Sequence, residues 1–482
     1  MINRRMLLYI LGRILHIEAA LLVLPLGISR IYREPLRISA IWLLTAALCL
    51  IIGTICTWHK PKERNLYTRD GLLSVALAWL LLSVFGALPF YLSGQIPAFL
   101  DAFFETVSGF TTTGSTILQD VTVLDKSMLF WRSFTHLIGG MGVLVLALAI
   151  VPASDSDSVH LMKAEVPGPT FGKLVARMRA TARILYSIYL IMTVALIVIL
   201  YLLGMPLFDA MIHSFGAAGT GGFSSQAESI ASFNSPAITY VTAIAMLAFG
   251  VNFNLYYLIL IGQVRKIFKS EELKAYLLIY ATAVLLVFFN LLTFFSDVTT
   301  AFQESFFTCA SIMTTTGYSS ADFAQWPLFS HVVLLLLMFI GGSAGSTAGG
   351  LKVSRVVILV KMAIKEVRQS REPRRALALL FDKKAVTERQ QARVSSYFLV
   401  YVVIFMILLF LIALDCKTYD VAFSAVASTF NNIGPGLSVI GPTGSFARFS
   451  NYSKLVLSFA MLLGRLEIYP MLYLFRAFRN RN

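Results

Sequence analysis

Apolar and polar positions along this chain fall into one order that occurs four times over. A long apolar run is followed by a short amphipathic one, then by a polar stretch of glycine and hydroxyl residues, then by a second long apolar run. The pattern predicts Gly71–Leu92, Asp101–Phe110 and Met128–Val151 as the helices of a first unit, and Thr181–Leu203, Asp209–Ala218 and Ala237–Gly262 as those of a second. Ala275–Phe295, Thr300–Met313 and Leu328 to about Ile364 make the third, and Ser396–Leu414, Asp420–Phe430 and Tyr452–Phe478 the fourth. Two more apolar helices, Leu7–Ile31 and Ile38–Trp58, stand ahead of the first unit with no such polar stretch between them. At about 1.5 Å of rise per residue, the long runs can cross a hydrocarbon core of about 30 Å and the short ones only half of it. The reading is ten spanning helices and four half-membrane ones.

The polar stretches carry the chemistry. Thr111-Thr112-Thr113-Gly114 and Thr314-Thr315-Thr316-Gly317 are near copies, Gly219-Thr220-Gly221-Gly222 is looser, and Asn431-Asn432-Ile433-Gly434 looser still. Their last glycines lie 108, 95 and 117 residues apart. Eleven residues before each stand Phe103, Met211, Phe306 and Phe423, and six before stand Ser108, Gly216, Ser311 and Ser428. One such glycine is explained by a plain turn, because glycine takes positive φ without strain. Four in register point further, to irregular backbone at membrane depth, which is tolerated only against protein or a water-filled cavity. Rings of backbone carbonyls there can replace the water shell of a potassium ion. Asp101 and Asp209 fall where helix N-caps belong, and each short helix turns its partly negative C-terminal end toward the membrane centre, which favours a cation. The expected fold is an all-α membrane protein: four pseudo-symmetric helix–pore-helix–helix units around one pore, plus the N-terminal helix pair. Residues 1–69 hold that pair and a loop, and 70–160, 161–264, 265–385 and 386–482 hold the units.

Composition agrees. The 482 residues are 57% hydrophobic and only 13% charged, with mean hydropathy +0.76, where a soluble protein carries about 25% charged residues. The net charge of +15 suits nucleic acid in principle, but the basic residues sit in short loops between apolar runs, as loops on the cytoplasmic side do. Lys60 to Arg69, Lys163 to Arg179, Arg265 to Lys274, Lys352 to Arg393 and Arg476 to Arg481 share one side, whereas the side of the glycine stretches has Lys126, Lys417, Arg448 and Lys454. Both termini are then cytoplasmic. Arg30, Arg33 and Arg37 break the rule by facing outside, with Glu34 as the acid at hand to pair with them. Cys49, Cys56, Cys309 and Cys416 form no C-x-x-C pair, so neither a disulfide framework nor a zinc site is supported. Arg4 and Arg5 precede an apolar run without a small-residue cleavage site, and the first span reads as retained.

These residues resemble a known family. Phe110–Thr116, Gly219–Ser224, Met313–Ser319, Asn431–Leu437, Gly341–Lys352 and Gly464-Arg465-Leu466-Glu467 are similar to the motifs of the membrane-embedded H-type subunit of bacterial Trk/Ktr potassium uptake systems, over essentially the whole chain. The resemblance implies one pore per subunit in a homodimer of the inner membrane, gated from the cytoplasm by a separate ring of Rossmann-type nucleotide-binding domains. This chain has no G-x-G-x-x-G in a βαβ setting and no G-x-x-x-x-G-K-[ST], so it carries no cofactor, and nucleotide control would come from that partner. Relatives with glycine at all four positions look potassium-selective, and plant relatives with serine at the first tend to pass sodium. The resemblance assigns ion coordination to the carbonyls of Thr112, Thr113, Thr220, Gly221, Thr315, Thr316, Asn432 and Ile433, with Gly114, Gly222, Gly317 and Gly434. Thr220-Gly221 departs from a Thr-Thr pair, so strict four-fold symmetry is not expected.

The stretch from Gly341 to Gly350 interrupts a span. Small residues suit close helix packing, but five glycines in ten positions disfavour a helix by about 1 kcal/mol each relative to alanine. A mobile intramembrane loop below the filter is the preferred reading, with Gly345, Ser346, Thr347, Ala348, Gly349 and Gly350 as its body and Lys352 directly after it; the resemblance supplies the same gate. Arg465, inside the last apolar run, is expensive in lipid and expected to face the pore as an electrostatic barrier; the plainer alternative is a pair with Glu467. Arg132 and His136 read as packing or hydrogen-bonding groups. Lys361–Arg393 is either a solvated face drawn to anionic lipid or a docking surface for the ring. Asp155 and Asp157 read as loop. No H-E-x-x-H or nucleophile elbow is present, and the chain is not read as an enzyme. The rival function is a coupled potassium/sodium or potassium/proton symporter. Known symporter folds use inverted repeats around broken helices, whereas these units run in one sense.

Overall fold

The computed structural model describes residues 3–61, 68–142, 178–372 and 377–479. Long helices form an outer layer and short ones an inner layer. Thr181–Leu202, Glu271–Leu291 and Glu388–Ala413 have only 33%, 33% and 28% of their apolar windows buried within the protein, which leaves wide apolar faces for lipid. The short helices Phe99–Phe110, Leu207–Gly219, Val298–Met313 and Tyr419–Phe430 are buried along most of their length. They start one or two residues earlier than the sequence pattern suggested and end where it suggested, to within one residue. This is a helical, multi-pass membrane protein.

Their N-termini differ from expectation. Asp101 and Asp209 lie inside the first turn, behind N-caps Ala98 and Pro206 that make no side-chain capping bond. Asp101 pairs instead with Lys454 at 2.6 Å, and Asp209 accepts a 2.5 Å bond from Ser225 just beyond the glycine stretch. The true capping aspartate is Asp297, where bonds from Thr299 and Thr300 lower the carboxyl to about 2.

The second helices are broken in more units than the third, where an interruption at 341–350 was expected. Among the described residues six helices are long and apolar enough to cross a membrane, or seven if Pro236–Phe249 and Phe253–Leu260, bent by 89°, form one span. The bend in that span, expected as continuous over Ala237–Gly262, falls at Gly250–Asn252, where the Asn252 side chain caps the new helix through Asn254. In the third unit Leu328–Ile340 stops and Val353–Arg371 starts after a loop. Tyr452–Phe478 is split into Asn451–Arg465 and Tyr469–Arg479, because Glu467 and Ile468 take φ of 54° and 70° and Pro470 has no N–H to continue the ladder. The first unit's second helix is described as Lys126–Gly140. Residues 143–151, Asp155, Asp157, Lys163, Lys173 and Arg177 lie outside the described residues.

The N-terminal pair is present as Arg4–Ile31, continued through Leu22, and Leu36–Thr57. A Cβ on Gly12 would sit 2.7 Å from the Gly53 carbonyl oxygen, so the two backbones cross in close contact, as small residues allow. Glu34 does not pair with the arginines around it. It accepts from the amide and hydroxyl of Ser127, at 2.8 and 2.6 Å, and so ties the hairpin to unit 1. The described residues between Lys361 and Arg393 include ordered structure. A two-residue antiparallel ladder, Leu380–Phe381 with Lys384–Ala385, packs Leu379, Phe381 and Val386 against Ile358 and Val394, and Lys361 bonds Glu271.

Candidate functional site

Each short helix ends in the same way. Thr112, Thr220, Thr315 and Asn432 have φ of 54°, 55°, 57° and 57°, a left-handed conformation that glycine normally supplies at a helix C-terminus. Their amides donate to the carbonyl three residues back, and the next amide donates five back, to Ser108, Gly216, Ser311 and Ser428, at 2.8–2.9 Å. The small residues recurring six before the glycines are thus the acceptors of this motif. Left-handed threonine is strained by about 1–3 kcal/mol, and it persists here because the surroundings over-determine it. With the amides consumed inside the motif, the carbonyls of the stretch remain as the available polar groups.

Two residues on, Gly114, Gly222, Gly317 and Gly434 have φ of 82°, 75°, 82° and 104°. A Cβ on Gly114 would lie 2.0 Å from the carbonyl oxygen of Gly221; one on Gly222, 2.0 Å from that of Thr316; one on Gly317, 2.0 Å from that of Ile433; and one on Gly434, 2.8 Å from that of Thr113. Every glycine therefore abuts the carbonyl of the residue before the next unit's glycine. The fourth closes on the first. Stretches 95 to 117 residues apart are joined into one ring, and the four glycines line a common cavity of about 80 Å³ together with Arg132, Phe223 and Ser319.

Side chains brace the ring unequally. The Thr111 and Thr113 hydroxyls bond at 2.7 Å, as do those of Thr314 and Thr316. In unit 4, Asn431 accepts from Tyr401 at 2.6 Å, and Asn432 reaches across to Thr113 at 2.8 Å. Unit 2 has Gly219 and Gly221 at the corresponding positions and no such brace. Arg132, expected as a packing or hydrogen-bonding group, is a buried partner of Glu105 at 2.6 Å, with side chains 3% and 0% exposed. Glu105 also accepts from Thr116 and from the Ile117 amide, and Arg132 donates to the Ser224 carbonyl at 3.1 Å. The pair joins the chain just past two neighbouring glycines.

Beneath the ring, residues 341–352 form a buried loop with φ of 72°, 71°, 74° and 75° at Gly341, Gly345, Gly350 and Lys352. Glu272 Oε1 accepts from Ala344 and Ser354 on its two flanks, at 2.7 and 3.2 Å. The Gly345 carbonyl accepts from Phe253 at the bend of unit 2. Ser346 turns back onto the Ser343 carbonyl, Thr347 donates to the Phe249 carbonyl, and Lys352 donates to the Ala348 carbonyl. Gly349 lies where a Cβ would meet the Asn431 carbonyl oxygen at 2.3 Å. Arg465 donates to the carbonyls of Thr347, Gly139 and Gly140, at 2.7, 2.5 and 2.6 Å. The alternative of an Arg465–Glu467 pair is not what forms. Glu467 pairs with Arg355 at 2.7 Å, because the backbone turn at Glu467 carries it away from the helix holding Arg465.

The family of cation transport proteins described as TrkH matches residues 39–480. The chain belongs to that family. The Trk system potassium uptake protein TrkH of Salmonella typhimurium (strain LT2) is 36% identical over 476 residues, 97% of each chain, and that of Escherichia coli K12 is equally similar. The crystal structure of the potassium transporter TrkH from Vibrio parahaemolyticus superposes with a TM-score of 0.88 at 33% identity, covering 98% of both chains. Within this TrkH-family chain, four residues of the site were passed over in the sequence: Glu105, Glu272, Asn252 and Tyr401. Glu105 had a usable signal, a lone acid in a short apolar helix. Glu272 looks like an ordinary first-turn acid, and Asn252 and Tyr401 had none.

Proposed function

We propose that this chain is a potassium-selective, channel-like uptake protein whose filter is the ring built from residues 112–114, 220–222, 315–317 and 432–434. The closed ring of glycine–carbonyl contacts carries the reading. Carbonyls of Thr112, Thr113, Thr220, Gly221, Thr315, Thr316, Asn432 and Ile433 replace ion hydration, and the C-terminal ends of the four short helices add a favourable potential for a cation. The loop 345–350 and Arg465 form the gate beneath. Arg465 obstructs the path by its charge and by holding the loop carbonyl of Thr347 to unit 1.

The protein works as a homodimer in the bacterial inner membrane with both termini in the cytoplasm, flux being driven by the membrane potential. Val353–Arg371 and the hairpin after it carry motion of a separate cytosolic nucleotide-binding ring to the loop. The relatives named for potassium uptake and the four glycines support this assignment.

Purified protein in liposomes, assayed with an imposed potential and with sodium and proton gradients varied separately, tests it. Potassium flux that follows potential alone is the expected result. Flux that requires a co-ion gradient overturns the channel reading in favour of symport.

A further inference from the structure

Unit 2 is the weakest quarter of the ring by sequence. Where the other units carry Thr113, Thr316 and Ile433, it carries Gly221, followed by a second glycine. Two adjacent glycines leave the backbone with more freedom than any other pair. Yet the Gly221 carbonyl is the one Gly114 abuts, so its position cannot wander without opening the ring. The structure fills the gap from another helix. A Cβ on Gly221 would fall 2.3 Å from Nδ1 of His136 and 2.5 Å from its Cγ and Cε1. The imidazole occupies the space that a side chain at 221 would take.

The ring of His136 is itself fixed. It stacks on Phe223, with centroids 4.3 Å apart and planes 19° from parallel. Phe223 carries the Arg132 guanidinium 3.5 Å from its centroid, and Arg132 is held by Glu105. At the other end, a Cβ on Gly219 would meet the His136 carbonyl oxygen at 2.2 Å, so the helix Lys126–Gly140 lies directly on the backbone of unit 2. Glu105, Arg132, Phe223 and His136 form one continuous train of contacts ending on the filter.

We propose that His136 is a specificity-determining positioning residue, its imidazole substituting for the missing side chain at Gly221 and holding the second quarter of the filter in register. The inference rests on the filter reading above. A plain core histidine would matter for stability; this one sets ion discrimination, and its size is complementary to the residue at 221.

The test is an exchange of bulk, read as the potassium-to-sodium permeability ratio in liposomes, with size-exclusion profile and thermal unfolding as checks on folding. His136→Ala leaves the glycine pair unsupported and lowers the ratio at least about fivefold; Gly221→Thr collides with the imidazole and lowers ratio and flux. The double variant Gly221→Thr/His136→Ala gives unit 2 the threonine of units 1 and 3 and recovers the ratio to within about threefold of wild type. If Gly221→Thr alone does not fold, its rescue in the double variant is the same result in a stronger form. Phe223→Leu, which removes the stacking face and keeps bulk, also lowers the ratio. A selective wild type with unchanged ratios in folded His136→Ala and Phe223→Leu overturns the inference alone, as does a double variant no better than the worse single. A wild type that does not discriminate potassium from sodium overturns the filter reading with it.

Discussion

The amide of Gly349 donates to the hydroxyl of Thr315 at 2.6 Å. One residue belongs to the loop and the other is a left-handed residue of the proposed filter ring, so the two parts of the site share a hydrogen bond. Movement of the loop breaks this bond or pulls on Thr315.

The hypothesis that the bond holds the loop in place predicts the behaviour of Thr315→Val. The variant keeps shape and leaves the Gly349 amide buried without a partner, at a cost of about 1–3 kcal/mol. Partner-free potassium flux rises roughly tenfold in liposomes. Unchanged flux from a folded variant counts against the coupling.

Gly114→Ser weakens discrimination against sodium, because its Cβ would lie 2.0 Å from the Gly221 carbonyl oxygen at a φ of 82°. Gly434→Ser has more room, 2.8 Å to the Thr113 carbonyl oxygen, and loses less. Reversal potentials in mixed potassium and sodium rank the two. Equal permeability ratios in both variants and wild type contradict the ring as a filter.

Arg465→Ala raises flux. It removes a positive charge from a low-dielectric passage and frees the Thr347 carbonyl from its link to Gly139 and Gly140. Arg465→Lys is intermediate, since a single ammonium lacks the planar fork that spans several carbonyls. Tracer flux on folded protein decides, and a fall in flux for Arg465→Ala makes the residue structural.

Shortening the loop within 345–350 raises basal flux and reduces dependence on a cytosolic partner. Glu272→Ala does the same more mildly, because it releases both flanks at Ala344 and Ser354 while leaving the loop its length. Assays without partner show which way the segment acts. Abolished flux in folded deletion protein favours the symporter instead.

Helix spacing and the four glycines were legible in the sequence because both are local signals. Apolar runs of fixed length announce spans, and glycine marks the positive φ at positions such as Gly114 and Gly317, whereas the left-handed Thr112 and Thr315 carry no such mark. The breaks in the second helices were visible only where glycine was dense, at 341–350. Those at Gly250–Asn252 and Glu467–Ile468 were hidden, since one is set by an asparagine cap and the other by a turn whose residues look helical. Pairings were illegible for a different reason. Glu105 meets Arg132 and Arg355 meets Glu467 across 27 and 112 residues, distances over which no periodicity carries information. Asp101 and Asp209 show the converse error. Local position suggested caps, while partners from other elements claimed their carboxylates.

The glycine contacts also have a handedness. Each quarter presses on the one that follows it in the chain, and the last presses on the first. Four identical polypeptides would have to alter every quarter at once, whereas a fused chain can let one repeat drift and have its successor absorb the change. Consecutive quarters are therefore the pairs in direct contact. Double-mutant cycles between adjacent quarters should show larger coupling than cycles across the ring. The divergence of Gly219 and Gly221 from the threonine pattern is, on this view, half of an adjustment whose other half sits in unit 1.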